Sequence, residues 1–344
     1  MVKSAWWRRF SAMLVPVITG YGIRKGLVVA DPSLTVHRET GRPTILVKIG
    51  GSSITNKANK ETLNQTALNW FVDTLAAHRP DRDAMHGLGG LYGRFDYVVV
   101  HGAGSFGHHT AKEFGLKGAS TPPAAEEPSG IVNEQSRQRH FNLTMGMSKT
   151  RLSVQTLNRL LVQAMIERNL PAVGVSPCFG SPIVQSHGDG LRDVVDSVVN
   201  MLRIGLVPVL HGDVCPYGTH GGGILSGDTI MTALGKSISF YRVVFITDVD
   251  GVYNSDPRKD STAELVSTVH VGPDGTVLTE VNASESSHEH DVTGGFETKL
   301  RCASEIVQHS NTTVYVVRHG TVSAKQALGG EPNVDVATMV QRSN

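Results

Sequence analysis

The sequence predicts an α/β fold in which a mainly parallel sheet is covered by helices on both faces. Three observations predict it. Short apolar segments such as TILVKI and RVVFIT have the β-branched composition of buried strands. Longer segments with helical spacing of apolar residues alternate with them, as in βαβ units. The strand segments are apolar without alternation, which is typical of parallel strands buried on both faces.

The predicted elements follow in chain order. Continuous β-prone runs predict buried strands at residues 44–49, 97–101, 171–175, 207–211, 242–247 and 313–317. Helical periodicity predicts helices at about residues 60–78, 134–168, 193–204, 226–235 and 294–309. A break is expected near Gly146, and a Ser-Gly-Asp cap begins the fourth helix. Residues 214–225 suggest a glycine-rich hairpin; 265–271 and 276–278 are weaker strands, and 313–317 is expected to be the last strand.

Composition excludes several classes of protein. The 344 residues are 40% hydrophobic and 18% charged, which is enough apolar material for a folded core. The formal net charge of +1 lacks the clustered basic excess of a bulk nucleic-acid binder. No run approaches the ~18 apolar residues of a membrane-spanning helix. Three cysteines, none of them in a CxxC pair, argue against a disulfide scaffold and predict reduced thiols.

Residues 1–43 are expected to form an N-terminal extension, poorly ordered or targeting, before a folded domain over 44–344. The first thirty residues carry five basic side chains and no acidic one. An acid-free basic stretch is typical of an organelle presequence, and an unstructured extension is the alternative. The expected location is the cytoplasm, with organelle targeting by residues 1–30 left open.

Four of the predicted strands end in glycine or Gly-Asp turns, within KIGGS, HGAGS, HGD and TDVDG. Ligands of parallel sheets bind beyond the carboxyl ends of the strands. Backbone N–H groups at such turns are suited to bind anions. Four turns of this kind at equivalent strand ends predict an extended, backbone-lined anion site along one edge of the sheet.

The loop Gly102–Gly107 matches the dinucleotide fingerprint GxGxxG after a strand. That fingerprint also requires an acidic residue at the end of the next strand, about 20 residues on. The region here is the stretch ASTPPAAEEPSG, which does not resemble a strand. We therefore interpret the loop as a phosphate-binding turn. A P-loop and the HRD and DFG motifs of protein kinases are absent from the sequence.

Three lysines lie beside the glycine turns. Lys48 is inside an apolar strand, Lys57 follows on the next loop, and Lys299 lies near the start of a helix. A lysine in a buried strand is costly unless an anion meets it, so the set favours polyphosphate binding. His108 directly follows HGAGSFG and is predicted to donate to a bound phosphate. The two histidines of SHEHD lack a third ligand, so no metal site is predicted there.

Together these motifs resemble the amino acid kinase family. The resembling segments run in order over about residues 44–320 and include KIGGSSITNK, VVVHGAGSFGHH, VPVLHGDV, ILSGDTI, VVFITDVDGVY and DVTGGFETK. The resemblance implies an αβα sandwich around an open, mainly parallel central sheet, usually as a homodimer. It also implies an acceptor-binding half at about 44–205 and an ATP-binding half at about 206–344.

The resemblance further implies an activity. This is the ATP- and Mg²⁺-dependent phosphorylation of an isoprenoid monophosphate, isopentenyl phosphate, to the diphosphate in the alternative mevalonate route to isoprenoids. Carried over by motif position, the catalytic residues would be Lys48, His108, Lys299 and Asp228. The ATP-binding residues would be Lys48, Lys57, Gly50, Asp248, Gly251, Tyr253 and Lys299. The acceptor-binding residues would be Gly51, Gly102, Ala103, Gly104, His108 and Gly212.

The chemistry of the residues agrees with this expectation. Phosphoryl transfer depends on positioning and charge neutralisation, and a phosphate acceptor is already anionic, so no general base is required. A kinase of the same fold acting on a carboxylate, carbamate or phosphonate, such as glutamate or fosfomycin, is the main alternative. A non-catalytic nucleotide-binding protein and a nicotinamide enzyme are two others.

An isoprenoid tail would need an apolar slot near the acceptor phosphate. The segment after the glycine loop offers candidates for its lining, with ordinary core packing as the alternative: Phe141, Leu143, Met145, Met147 and Leu152. Methionine side chains suit a flexible apolar ligand because they are unbranched and polarisable.

Overall fold

The computed structural model describes residues 43–79, 95–116, 134–178, 191–217, 221–255, 260–279 and 296–343. All of them belong to one unit of the chain, residues 33–344. The predicted extension, the ASTPPAAEEPSG stretch, the SHEHD loop and the glycine pair before the last predicted helix lie outside the described residues. The predicted domain boundaries stay predictions.

Twelve strands are found in the described residues. They are β1 (Thr44–Ile49), β2 (Asp96–His101), β3 (Ala172–Val175), β4 (Val207–His211), β5 (Asp213–Tyr217), β6 (Gly221–Leu225), β7 (Arg242–Thr247), β8 (Val252–Tyr253), β9 (Leu265–Val266), β10 (Thr268–Val271), β11 (Val314–Arg318) and β12 (Thr338–Arg342). The main predicted strands are confirmed to within one or two residues at each end.

Eight helices accompany these strands in the same described ranges. They are α1 (Gly51–Ile54), α2 (Gln65–Ala77), α3 (Gly104–Glu113), α4 (Glu134–Ile166), α5 (Arg192–Arg203), α6 (Gly227–Ser237), α7 (Phe296–His309) and α8 (Val322–Leu328). Not one of these helices is both long and apolar enough to cross a membrane.

Eight of the strands form one sheet in the order β10-β12-β11-β7-β1-β2-β4-β3. Every neighbouring pair is parallel except β11 and β12, which are antiparallel. The predicted hairpin is present as the separate pair β5–β6. The prediction of a mainly parallel sheet is therefore confirmed.

Both faces of the sheet are covered by helices. Along β1, Leu46 packs into one apolar cluster, whereas Ile45 and Val47 pack into the other. The first cluster receives buried side chains from α5, α6 and α7, and the second receives them from α2, α4 and α8. This is an αβα sandwich, in which successive side chains of one strand enter opposite cores because strand side chains alternate between faces.

Two local predictions are wrong. Helix α4 runs without the break expected near Gly146. Gly146 is buried, and a Cβ there would collide with the ring and Cβ of Phe114. The glycine therefore allows close packing of α4 against the end of α3. The strand β11 is also not the last one, because β12 follows it and inserts between β10 and β11.

The prediction of reduced cysteines is wrong for two of the three. Cys178 follows β3 and Cys215 lies in β5, and the two form a disulfide with a Cα–Cα distance of 5.6 Å. That distance is typical of disulfides. Cys302, in α7, is a buried free thiol. The 37-residue separation of the bonded pair carries no sequence signal, because the β3–β4 pairing and the following hairpin bring the two together.

Candidate active site

The four predicted glycine-ended strands lie side by side, since β7, β1, β2 and β4 are consecutive in the sheet. Their turns are linked by backbone hydrogen bonds. Gly50 donates its N–H to a carbonyl at the end of β7, Gly102 to one in β1 and Gly212 to one in β2, each over 3.0 Å. One continuous edge of backbone turns is therefore formed, as the sequence predicts.

The turns after β1 and β2 are in direct backbone contact. A Cβ added at Gly102 would lie 2.7 Å from the amide nitrogen of Gly51, and one added at Gly51 would collide with the backbone of Gly104. Gly104 also has a positive φ of 52°, which favours glycine. The N–H groups of Gly50 and Gly102 are used within the sheet, so an anion at this edge would meet the amides that follow, those of Gly51, Ala103 and Gly104.

Lys48 and Asp228 form a buried ion pair beneath these turns. The Lys48 Nζ lies 2.6 Å from Asp228 Oδ1, and the two side chains are 9% and 3% exposed. Asp228 is in the first turn of α6, whose N-cap Ser226 accepts a hydrogen bond from the Thr229 N–H. A Cβ at Gly227 would lie 3.1 Å from Lys48 Cε, so this glycine allows α6 to start directly against the lysine.

A third charge acts on this pair. Burial would raise the pKa of Asp228, but Lys48 and Lys299 outweigh it and hold that pKa below its usual value. Burial lowers the pKa of Lys48, Asp228 opposes the shift, and the positive charge of Lys299 adds to it. Lys299, in the first turn of α7, is half-buried. The structure thus brings Lys48, Asp228 and Lys299 together, as the motif positions imply.

The nucleotide-side candidates lie at the end of β7. Lys57 Nζ is 3.4 Å from Asp248 Oδ2, and both side chains are about half exposed. Burial alone would raise the pKa of Asp248, but Lys57 and neighbouring hydrogen bonds lower it. Tyr253 donates to Asp250 over 3.4 Å. Gly251 packs so closely on β12 that a Cβ there would collide with it, so this glycine has a packing role as well.

His108 and His109 lie in α3, and both are half-buried. Sequence reasoning selected His108 and left His109 aside. In the structure His109 Nε2 lies 3.0 Å from the Lys57 carbonyl oxygen, so the ring donates there and ties α3 to the Lys57 loop. Only the adjacency of the two histidines in GSFGHH signals this contact.

Sequence reasoning also missed a polar cluster beyond Gly212. Asp213 accepts hydrogen bonds from the Val214 N–H over 2.8 Å and from the Ser176 hydroxyl over 3.1 Å. Arg151, from α4, lies 3.4 Å from the same carboxylate and donates to Ser176 over 2.6 Å. Burial raises the pKa of Asp213, while His211 and Arg151 oppose that shift. The Asp of HGD is the one signal that could have identified the cluster.

A small apolar cluster lies between α3, α4 and the hairpin. Its buried members are Ala111, Leu116 and Val214, and its partly buried members are Phe114, Leu143, Met147 and Ile224. Two of the five predicted tail-lining residues, Leu143 and Met147, belong to it. The other three are exposed, because they lie on a different face of α4: Phe141, Met145 and Leu152.

Comparison with known proteins agrees with this geometry. The model of the amino acid kinase family matches residues 43–318, which contain the four turns and the three lysines. The chain belongs to the amino acid kinase family. An isopentenyl phosphate kinase of Arabidopsis thaliana is 34% identical over 245 residues, which is 68% of each chain. One from Thermoplasma acidophilum is 29% identical over 79% of this chain and 91% of its own.

The fold of this amino acid kinase family member is also found in solved structures. An X-ray structure of an isopentenyl phosphate kinase superposes with a TM-score of 0.62 at 24% identity, over 86% of this chain and 99% of that one. The likeness extends over most of this chain and nearly all of that one, and it shows that the two share a fold.

The stability of this family member is expected to depend on pH through His101, which is buried in the core beneath the candidate site. Burial, with a contribution from His211, lowers the pKa of His101 from 6.5 to about 3. Below pH 6.5 the unfolded chain therefore binds a proton that the folded chain does not, and stability falls as the pH falls towards 3. The expected loss between pH 7 and pH 5 from this group is about 2 kcal/mol.

The check is urea unfolding at both pH values for the wild type and His101→Asn. Because the variant lacks the titrating imidazole, its unfolding free energy should fall by about 2 kcal/mol less than that of the wild type over this interval. An equal pH dependence in the two proteins would mean that His101 does not contribute to acid unfolding.

Proposed function

We propose that this chain transfers the γ-phosphoryl group of ATP to isopentenyl phosphate, giving isopentenyl diphosphate and ADP. The observation that carries the proposal is the buried Lys48–Asp228 pair beneath two glycine turns in backbone contact. A buried lysine at a phosphate-binding edge is suited to neutralise a transferring phosphoryl group. The sequence similarity to isopentenyl phosphate kinases supports the choice of acceptor.

The acceptor phosphate would lie against the turn after β2. There it would meet the amides of Gly51, Ala103 and Gly104 and the imidazole of His108. Gly212, which continues the same edge, would border it. Because an oxygen of the acceptor phosphate already carries negative charge, it can attack the γ-phosphorus without loss of a proton to a base.

The phosphoryl group would pass between the two halves of the site. The bond between the γ-phosphorus and the bridging oxygen of ADP breaks, and a bond to the acceptor oxygen forms. Lys48 and Lys299 would neutralise the charge of the group in transit, and Asp228 would hold the two ammonium groups in place. Lys57 would bind the ATP phosphates, and Gly50, Asp248, Gly251 and Tyr253 would line the nucleotide.

Mg²⁺ would enter with ATP. Within the described residues, no group of three or more His, Cys, Asp or Glu side chains is arranged to hold a metal ion. Magnesium commonly keeps several waters and binds substrate phosphates with one or two carboxylates, so the absence of a protein cage in these ranges fits that mode. The ion would supply additional positive charge at the ATP phosphates, next to Lys57 and Asp248.

The isoprenoid tail would extend from the acceptor phosphate towards the small apolar cluster of α3, α4 and the hairpin. Leu143 and Met147 are the predicted residues that lie in this cluster. Met147 packs directly on Gly222 of the hairpin. The proposed homodimer and the cytoplasmic location stay predictions.

A coupled ADP-release assay with ATP, Mg²⁺ and a panel of acceptors tests the function. Isopentenyl phosphate should be turned over, whereas glutamate, carbamate and fosfomycin should not. His108→Ala should lower kcat/KM for isopentenyl phosphate by about 10- to 100-fold, the range for loss of a hydrogen bond to a charged group. His309→Ala, an exposed histidine at the end of α7, is the matched control and should behave as wild type.

Each outcome of this assay has a distinct meaning. If wild type were inactive with isopentenyl phosphate but active with a carboxylate or phosphonate, the proposed acceptor would be wrong and the family alternative correct. If wild type were active and His108→Ala equally active, the function would stand and the proposed role of His108 would fail.

A further inference from the structure

Two histidines occupy equivalent places beneath the acceptor side of the site. His101 is the last residue of β2 and His211 the last residue of β4, and the two are paired in register. Both are buried, and their ring centroids are 5.8 Å apart. Each directly precedes a glycine turn, and neither belongs to the groups that would contact ATP or the acceptor in the proposed transfer.

Both rings make the same contact with the turn that follows. His101 Nδ1 lies 3.0 Å from the Gly102 carbonyl oxygen, and His211 Nδ1 lies 3.1 Å from the Gly212 carbonyl oxygen. A carbonyl oxygen only accepts hydrogen bonds, so each Nδ1 carries a proton and donates it.

The other nitrogen of His101 is fixed by Asn158 from α4. The Asn158 Nδ2 lies 3.0 Å from the Val209 carbonyl oxygen, which identifies that atom as the amide nitrogen rather than the amide oxygen. The same Nδ2 lies 3.1 Å from His101 Nε2, which must therefore accept. His101 is thus a neutral ring with one tautomer, held between a helix and the Gly102 carbonyl.

These contacts determine which way the turn peptides face. The C=O and N–H of a trans peptide point in opposite directions, and all described peptides here are trans. A Gly102 carbonyl held at the His101 ring turns the Ala103 N–H away from the ring, towards the open edge of the sheet. A Gly212 carbonyl held at the His211 ring likewise sets the orientation of the Gly212–Asp213 peptide, at the start of β5.

We propose that His101 and His211 are positioning residues that orient the peptide groups of the two acceptor turns for a phosphate. The inference rests on the proposed function, because the anion at these turns is taken to be the acceptor phosphate. The rings act through the backbone and do not touch the substrate. The recognised chemistry is a terminal phosphate monoester bound by aligned backbone N–H groups.

Two variants of His101 separate this role from simple packing. In His101→Asn, the side-chain amide nitrogen is as many bonds from Cα as the histidine Nδ1, so a donor to Gly102 is kept. In His101→Leu, the space is filled without a donor. His78→Leu is the matched control, since the His78 Nδ1 donates to the Thr74 carbonyl over 2.8 Å at the end of α2, next to the start of β2.

Steady-state kinetics with ATP and isopentenyl phosphate then give kcat and the KM of each substrate for every variant. We expect His101→Leu to raise the acceptor KM by about tenfold or more, as for loss of a hydrogen bond to a charged group, with the ATP KM within about twofold of wild type. His101→Asn should recover most of the loss, and His78→Leu should be unchanged. Equal rises in both KM values, or a His101→Asn no better than His101→Leu, would overturn the inference.

Calorimetric binding of inorganic phosphate separates this inference from the proposed function. If wild type did not phosphorylate isopentenyl phosphate, yet His101→Leu alone weakened phosphate binding, the function would fail and the positioning role would stand. If wild type were active and all variants bound phosphate equally, the positioning role would fail and the function would stand. Thermal unfolding of each variant confirms that folded protein is compared.

Discussion

We expect Lys48→Met to lower kcat with isopentenyl phosphate by about 10²- to 10³-fold, the range for removal of one preorganised transition-state donor. The lysine is buried, and its ammonium group is held by Asp228 at 2.6 Å. Solvent therefore cannot supply the positive charge that the substitution removes. Methionine keeps the length and apolar stem of the side chain and removes only the charge. The KM for ATP should change little, because Lys57 and the turn amides remain.

The measurement is the ADP-release assay at saturating ATP and acceptor. Lys60→Met is the matched control, because Lys60 pairs with Glu113 at 3.8 Å on the surface, where both side chains are about half exposed. It should keep full activity. A Lys48→Met enzyme that retained more than a tenth of the wild-type kcat would remove Lys48 from the transfer step.

The largest effect on stability is expected for Asp228→Ala, at about 3–5 kcal/mol of unfolding free energy. Removal of the carboxylate leaves Lys48 as a buried charge without its ion-pair partner, with the positive charge of Lys299 acting on it. The same substitution removes an acidic residue from the first turn of α6, where it interacts favourably with the helix dipole.

Urea unfolding of four proteins tests this account: wild type, Asp228→Ala, Lys48→Met/Asp228→Leu and Glu113→Ala. The double variant replaces the ion pair by apolar side chains, so it should regain most of the stability lost in Asp228→Ala while remaining inactive. Glu113→Ala breaks an exposed pair and should change stability by less than about 1 kcal/mol. If Asp228→Ala lost less than about 1 kcal/mol of unfolding free energy, the buried ion pair would not be an important contribution to stability.

Much of the site was predictable because its signals are local. A continuous apolar run predicts β1 and β7 to the residue, and the glycine turn that follows marks each strand end. In a parallel sheet the carboxyl ends of the strands share one edge, so placing four such turns together needs only the fold class. Lys48 is conspicuous in the sequence because a charged residue interrupts an apolar strand.

Other features depend on contacts between distant segments. Gly146 predicts a helix break by propensity, but its close contact with Phe114 makes it a packing residue in a continuous helix. The strand β12 has the sequence TMVQR, in which only two of the five residues are apolar. Its apolar content is therefore too low to indicate a strand by itself. It is stabilised by pairing with β10 on one side and β11 on the other.

The sequence by itself determined the α/β class, the strand ends and the place of Lys48 inside an apolar strand, because each depends on a short run of neighbouring residues. Only the tertiary structure decided that Asp228 pairs with Lys48 across 180 residues, and that His101 and His211 hold the turn carbonyls. These contacts depend on strand order, helix placement and side-chain direction. Such long-range geometry becomes fixed only when the two cores pack around the sheet.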